Sequence, residues 1–149
     1  MLKGSPRSVG GDFNCAHNQL TSLKGSPDHI GGKFICFKNV LTSLEGAPKT
    51  VKGSFSCSYN KLTSLKGSPT HHIEGDFVCN DNKLTSLEGA PISVEGSFYC
   101  SNNKLTSLEG APIQIGGKFY SDQFSDEDYR EYIKYNKLRT KHKELEGIF

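Results

Sequence analysis

Tryptophan is absent, and only 34% of the 149 residues are hydrophobic. A compact globule around one central core is hard to build from so little, whereas a thin, continuous core is within reach. No stretch approaches the roughly 18 apolar residues that a membrane span needs. The opening residues, MLKGSPRSVGG, lack the apolar run of a secretory signal. Charge of one sign is also scarce: the formal net charge is +2, too mild to argue for nucleic acid or a membrane surface. Together these absences lead us to expect a cytoplasmic protein with no membrane association. Five cysteines cannot all pair within one chain, and the cytosol disfavours disulfides in any case.

Glycine and proline are plentiful, with 16 and 6 copies, and they recur in order. Leucines 2, 23, 44, 65, 87 and 108 each precede an x-Gly-[Ser/Ala]-Pro, in steps of 21 residues with one step of 22. Phe13, Phe34, Phe55, Phe77, Phe98 and Phe119 keep the same beat. So do the columns Cys15, Cys36, Cys57, Cys79, Cys100 and Asn18, Asn39, Asn60, Asn82, Asn103. The long step falls in SPTHHIEGDF, near His71 and His72, outside the repeated strand. The unit reads L-[KE]-G-[SA]-P-x-x-[VI]-x-G-x-F-x-C-x-x-N-x-L-T-S-L. A fixed period near 20 residues is the signature of a solenoid.

The spacing sets the physics of one coil. Phe and Cys, two apart, share a face of a short strand. This predicts strands near 12–16, 33–37, 54–58, 76–80, 97–101 and 118–122. Stacked coils put these strands side by side and parallel, about 4.8 Å apart. Phe then stacks on Phe and Cys on Cys inside the tube, with Leu20, Leu23, Val9, Ile30 and their copies filling the rest. Asn sits where the chain must turn, and its amide can bond backbone of its own and the next coil. The Gly-x-Pro segment is expected to return in an extended, polyproline-like path.

The stretch F-x-C-x-x-N-x-L-T-S-L resembles the L-x-L-x-x-N-x-L core of leucine-rich repeats, with Phe and Cys at two leucine positions. The following Leu-x-Gly-x-Pro is similar to the short, Pro-containing repeats of bacterial effector proteins. The whole unit, LTSLEGAP included, most resembles short repeat proteins of tailed bacteriophages and some bacteria. The resemblance spans residues 1 to about 122 and departs from eukaryotic leucine-rich repeats in placing Gly at the first strand leucine. It implies a right-handed, leucine-rich-repeat-like coil with one short parallel strand per turn. It also implies a small early protein that blocks or redirects a bacterial host protein, for instance a defence system.

The domain reading is a six-coil solenoid over 1–122 and a C-terminal helical cap with a degenerate last coil over 123–149. In FSDEDYREYIKY, Ser125 and Asp128 form a capping box, and acids fill the first turn. Tyr129, Tyr132 and Ile133 share a face that should close over Phe119. Tyr135, Leu138 and Leu145 point elsewhere, and YNKL and LEG recur from the coils. A helix over 123–134 ending near Tyr135 is therefore expected, with a continuous helix to Lys143 as the alternative. The first coil has no cap of its own, so the strand edge at Asp12–Ala16 is expected to pair in a homodimer or to be covered by a partner, unless Met1–Arg7 folds over it.

Chemistry is sparse in the pattern. The straight cysteine column suits neither disulfides, since its Cβ vectors run parallel, nor zinc, since it does not converge; buried core thiols are expected. None of the five histidines has metal-ligand spacing, and His71-His72 reads as a solvated loop. No nucleophile–base–acid set appears, and the glycine pairs precede strands instead of opening helices. No enzyme activity, cofactor or metal is expected. The Thr-Ser pairs, from Thr21/Ser22 to Thr106/Ser107, read as local bonding to turn backbone, in preference to an ice-binding ladder.

The outward columns differ from coil to coil, unlike the inward ones. They run Asp12, Lys33, Ser54, Asp76, Ser97, Lys118, then Asn14, Ile35, Ser56, Val78, Tyr99, Tyr120, then Ala16, Phe37, Ser58, Asn80, Ser101, Asp122. Beyond them lie His17, Lys38, Tyr59, Asp81, Asn102 and Gln123. Apolar groups on a solvated sheet suggest that Ile35, Phe37, Tyr59, Val78, Tyr99 and Tyr120 bind a protein partner. Two other classes compete: nucleic-acid binding through the six basic residues of KYNKLRTKHK (134–143), and a virion or assembly component joined edge to edge.

Overall fold

The computed structural model describes residues 2–69 and 71–147. The expected repeat solenoid with a C-terminal helical cap is what forms. Its rungs stack into two parallel six-stranded sheets, each ordered along the chain. One sheet carries the phenylalanines, from Phe13–Asn14 to Phe119–Tyr120. The other, from Ser8–Val9 to Gln114–Ile115, was not expected: each rung holds two strands, not one. Both strands are only two residues long, because a glycine-containing bend separates them. At that bend successive rungs come very close. A Cβ on Gly31 would lie 2.3 Å from the Gly10 carbonyl oxygen.

The return path also differs from the extended segment expected. Leu23 to Ser26 form a tight turn closed by Ser26 N–H donating to the Leu23 carbonyl at 3.0 Å. Gly25 stands at φ +91°, the left-handed value that the third position of a type II turn demands. The serine before it, Ser22, accepts Lys24 N–H at 3.1 Å, and Ser43, Ser64, Ser86 and Ser107 repeat this bond. That is the local role read for the Thr-Ser pairs, but only the serines play it; the threonines are exposed, and only the Thr106 hydroxyl bonds backbone, at the Thr85 carbonyl.

The core is a set of columns. Phe13, Phe34, Phe55, Phe77, Phe98 and Phe119 stack with centroids 5.2 to 5.8 Å apart. Cys, Val/Ile and two leucine columns surround them, and from the second rung upward nearly every member is buried. In the first rung Leu2, Val9, Phe13 and Leu20 are only half-buried.

One helix, Asp126–Leu145, closes the far end. It is continuous, so the expected stop near Tyr135 and the degenerate coil beyond it are corrected; the uninterrupted alternative was the right one. Nothing in 135–145 breaks a helix: there is no Gly or Pro, and the first glycine, Gly147, follows the C-cap Glu146. The capping box of Ser125 and Asp128 is present.

Three side chains of its first turns imitate a seventh rung. Tyr129 stacks on Phe119 at 5.1 Å, continuing the ring column, and its hydroxyl donates to the Pro112 carbonyl. Asp126 Oδ1 accepts the Phe119 N–H at 2.8 Å, where Phe98 N–H finds the Lys118 carbonyl one rung below. Arg130 donates to the Ile115 and Gly117 carbonyls at 3.0 and 2.6 Å, which the next rung's Gly116 and Gly117 N–H groups do for Val94 and Gly96. Slight burial raises the Asp126 pKa, but the Phe119 N–H and Arg130 outweigh it and hold the carboxyl below its ordinary value. Burial pushes the Tyr129 hydroxyl up to about 12, so it stays a donor across the physiological range. The C-terminal sheet edges, which would otherwise template aggregation, are thereby covered.

Candidate functional site

The repeating positions are spent on architecture. Asn39 donates to the Cys15 and Cys36 carbonyls, each at 3.1 Å, and accepts Leu20 N–H at 3.0 Å. Asn60, Asn82 and Asn103 repeat this arrangement, while Asn18 in the first rung bonds the Cys15 and Ala16 carbonyls. The ladder thus joins each rung to the one before it, not the next as expected. The donor left over at the turn, such as Leu20 N–H, belongs to the preceding rung. Just ahead of each Asn, His17, Lys38, Tyr59, Asp81 and Asn102 take left-handed φ of 53° to 57°. Their side chains turn outward at a corner, which leaves their identity free.

All five cysteines are free and buried. Burial raises every thiol, Cys15 to about 11 and Cys100 to about 12. Cys36, Cys57 and Cys79 are pushed up as well, by the same cause. Thiols so protonated are poor nucleophiles. Cys79 and Cys100 direct their Sγ at the next rung's Tyr99 and Tyr120 carbonyls, both at 3.3 Å.

The first outward column has a structural task. Asp12, Ser54, Asp76 and Ser97 each accept the N–H of the residue one rung on, at 2.7 to 3.0 Å. These short oxygen-bearing residues therefore stitch the bend between sheets. The sequence signal was there, in the column's preference for Asp and Ser.

The second column forms a row on the outer face of the Phe sheet. Val78, Tyr99 and Tyr120 pair in register on three consecutive strands, and the two tyrosine rings stack at 4.8 Å. Ile35 lies in the same row but is separated by Ser56. Phe37 follows Ile35 on the same side, with His17 edge-on at 5.0 Å. Tyr59 stands at the corner, beyond the strand, with Lys38 Nζ 5.7 Å from its ring. Tyr59 and Tyr120 are exposed, at 53% and 42%, and the other four are half-buried.

The other sheet brings together groups that the sequence spacing did not suggest. His72 is not in a loop: it lies on the strand His72–Ile73, because the extra residue is absorbed before it. Its Nδ1 lies 2.8 Å or less from a hydroxyl, 2.7 Å from Ser93 Oγ, and its Nε2 lies 3.2 Å from Glu95 Oε1. This is a serine–histidine–carboxylate chain, and it corrects the expectation that no such set exists. Stacking by 21 residues accounts for it. His29 makes the same contact with Thr50 at 2.8 Å, where no acid follows. The N–H groups beside the serine are committed elsewhere: Ser93 to the His71 carbonyl, Glu95 to Ile73 and Gly116 to Val94. No free pair of donors faces Ser93 among these, and such a pair is what an acyl-transfer site needs for its oxyanion.

Among the described residues no cluster of His, Cys, Asp or Glu is arranged to hold a metal ion. No described helix is long and apolar enough to cross a membrane. Comparison with protein-family models, curated proteins and solved structures returned no match.

Proposed function

We propose that the protein is a non-enzymatic binding module that holds a partner protein against the outer face of the Phe sheet. The observation that carries this reading is the unbroken row Val78–Tyr99–Tyr120, with Tyr120 open to solvent, on a scaffold whose repeating Phe, Cys and Leu residues face inward and whose Asn residues bond backbone. Large aromatic side chains on a rigid face supply contact area at little entropic cost. Ile35, Phe37 and Tyr59 extend the surface toward the first rungs. The resemblance to short phage and bacterial repeats makes a bacterial host protein, inhibited or redirected by capture, the class of partner to look for.

The test is capture from bacterial lysate by the immobilised protein. Phe37→Asp with Tyr99→Asp is expected to reduce capture by about tenfold or more, since the pair puts a charge in the tyrosine row and another in its extension toward the first rungs. Both are half-buried outer positions, so an unchanged thermal melt should accompany the loss. Full capture by the double variant would remove the sheet face from consideration. The reading also expects Ser93 to resist a fluorophosphonate probe, because the N–H groups of Ser93, Glu95 and Gly116 are already bonded to carbonyls. Stoichiometric labelling of Ser93, abolished by His72→Ala, would make the protein a hydrolase instead.

A further inference from the structure

One outward column changes character along the solenoid. After the proline it reads Arg7, Asp28 and Lys49 in the first three rungs, where Arg7 and Lys49 both pair with Asp28. In the last two rungs the same position holds Ile92 and Ile113, which are 49% and 60% exposed. The two isoleucines are adjacent, joined by Ile113 N–H donating to the Ile92 carbonyl at 2.8 Å. Neither is needed for the core, which their rungs complete with Val94 and Ile115.

Ile113 lies against the C-terminal helix. Two adjoining hollows of about 580 and 480 Å³ run between that helix and the last rung, and Ile113 and Ile133 line both. Leu138, exposed at 59%, adds apolar surface to the larger one. Lys134, Lys137 and Lys141 stand around this floor, and Glu144 is the acid that lines it. Arg130 is already engaged with Asp126 and two carbonyls.

We propose that this groove docks an acidic, apolar-anchored peptide segment of a partner protein. The floor takes one or two large aliphatic or aromatic side chains. The lysines pair with Asp or Glu on either side of them, which gives both orientation and discrimination. The chain's own Leu145, exposed between Glu144 and Glu146, has the same chemistry, so a second copy is the competing occupant that self-association would reveal. A nucleic acid would answer the lysines and leave the isoleucines wet. This surface is separate from the Phe-sheet face, so either can fail alone.

The test is a random-peptide library displayed on phage and selected on the immobilised full chain, with affinities of enriched peptides read by fluorescence polarisation. The expected winners carry Asp or Glu around Leu, Ile or Phe, and bind more weakly as salt rises. Ile113→Asp, and separately Lys137→Glu with Lys141→Glu, are each expected to weaken them by about tenfold or more. Tyr99→Asp should leave them unchanged. All these positions are exposed or outer, so thermal melts should match the parent. Enrichment of basic peptides, no enrichment, or parental affinity in either groove variant would overturn the proposal. So would displacement of the peptide by an equal concentration of single-stranded DNA, or self-association abolished by Ile113→Asp.

Discussion

Asn60→Ala is expected to lower the unfolding free energy by about 2–4 kcal/mol, from one buried N–H left unpaired and the loss of its other buried hydrogen bonds. Asn60 Oδ1 accepts Leu41 N–H at 3.0 Å, and its amide nitrogen donates to the Cys36 and Cys57 carbonyls at 3.2 and 3.1 Å. Removing the amide strands the Leu41 N–H and leaves the Cys36 and Cys57 carbonyls with one bond each, from Asn39 and Asn82. Water cannot easily replace it, because Asn39 and Asn82 close the ladder on either side and Asn60 itself is buried. Asn60→Leu restores the volume but not the bonds, so it should be about as damaging as alanine. Asn18→Ala is the control: its residue is exposed and bonds only the Cys15 and Ala16 carbonyls of its own rung. That variant should lose about 1 kcal/mol or less. Urea unfolding measures the contrast, as a midpoint shift at constant slope. Equal losses at Asn18 and Asn60 would mean that the amides do not tie the rungs together. The size matters, because domains of this kind have only about 5–15 kcal/mol in total.

The parts of this fold that were legible in the sequence are those that repeat for a steric reason. Phe and Cys recur because a rung must present the same shape to its neighbours, and Asn because every turn leaves the same donor over. The second sheet was hidden. Strands such as His29–Ile30 are two residues long, and two residues cannot display an alternation. The helix end was misread because YNKL and LEG look like coil segments. With no breaker before Gly147, the helix simply continued through them. The Ser93–His72–Glu95 chain was invisible for another reason. Its members stand 21 and 23 residues apart, a distance that means nothing until the rungs are stacked. Ile92 and Ile113 were open to view as a break in a charged column, but they lie outside the strand columns in which a binding face was sought. The row of Ile35, Val78, Tyr99 and Tyr120 was legible because its residues alternate with Phe and Cys.

The ring column supplies the other large effect. Phe77→Ala should cost about 3–5 kcal/mol, the usual range for emptying a fully buried aromatic site. The rings of Phe55 and Phe98 lie 5.3 and 5.2 Å away on its two sides, nearly parallel, and neither can tilt far into the gap without leaving its own rung. Phe13→Ala removes the same side chain from a half-buried site with a ring on one side only, and should cost about half as much. Tyr129→Ala should resemble Phe77→Ala more than Phe13→Ala, because it uncovers Phe119 and also strands the Pro112 carbonyl. In a stack where each rung touches only its neighbours, the central substitution has a further consequence: it weakens a junction, not just a site. Hydrogen exchange should then show the rungs on either side of Phe77 opening as separate units, whereas Phe13→Ala should fray one end and leave the rest protected. Should Phe13→Ala and Phe77→Ala lower stability equally and speed exchange uniformly, the molecule would be cooperating as one globule, and the rung-by-rung account of its stability would fail.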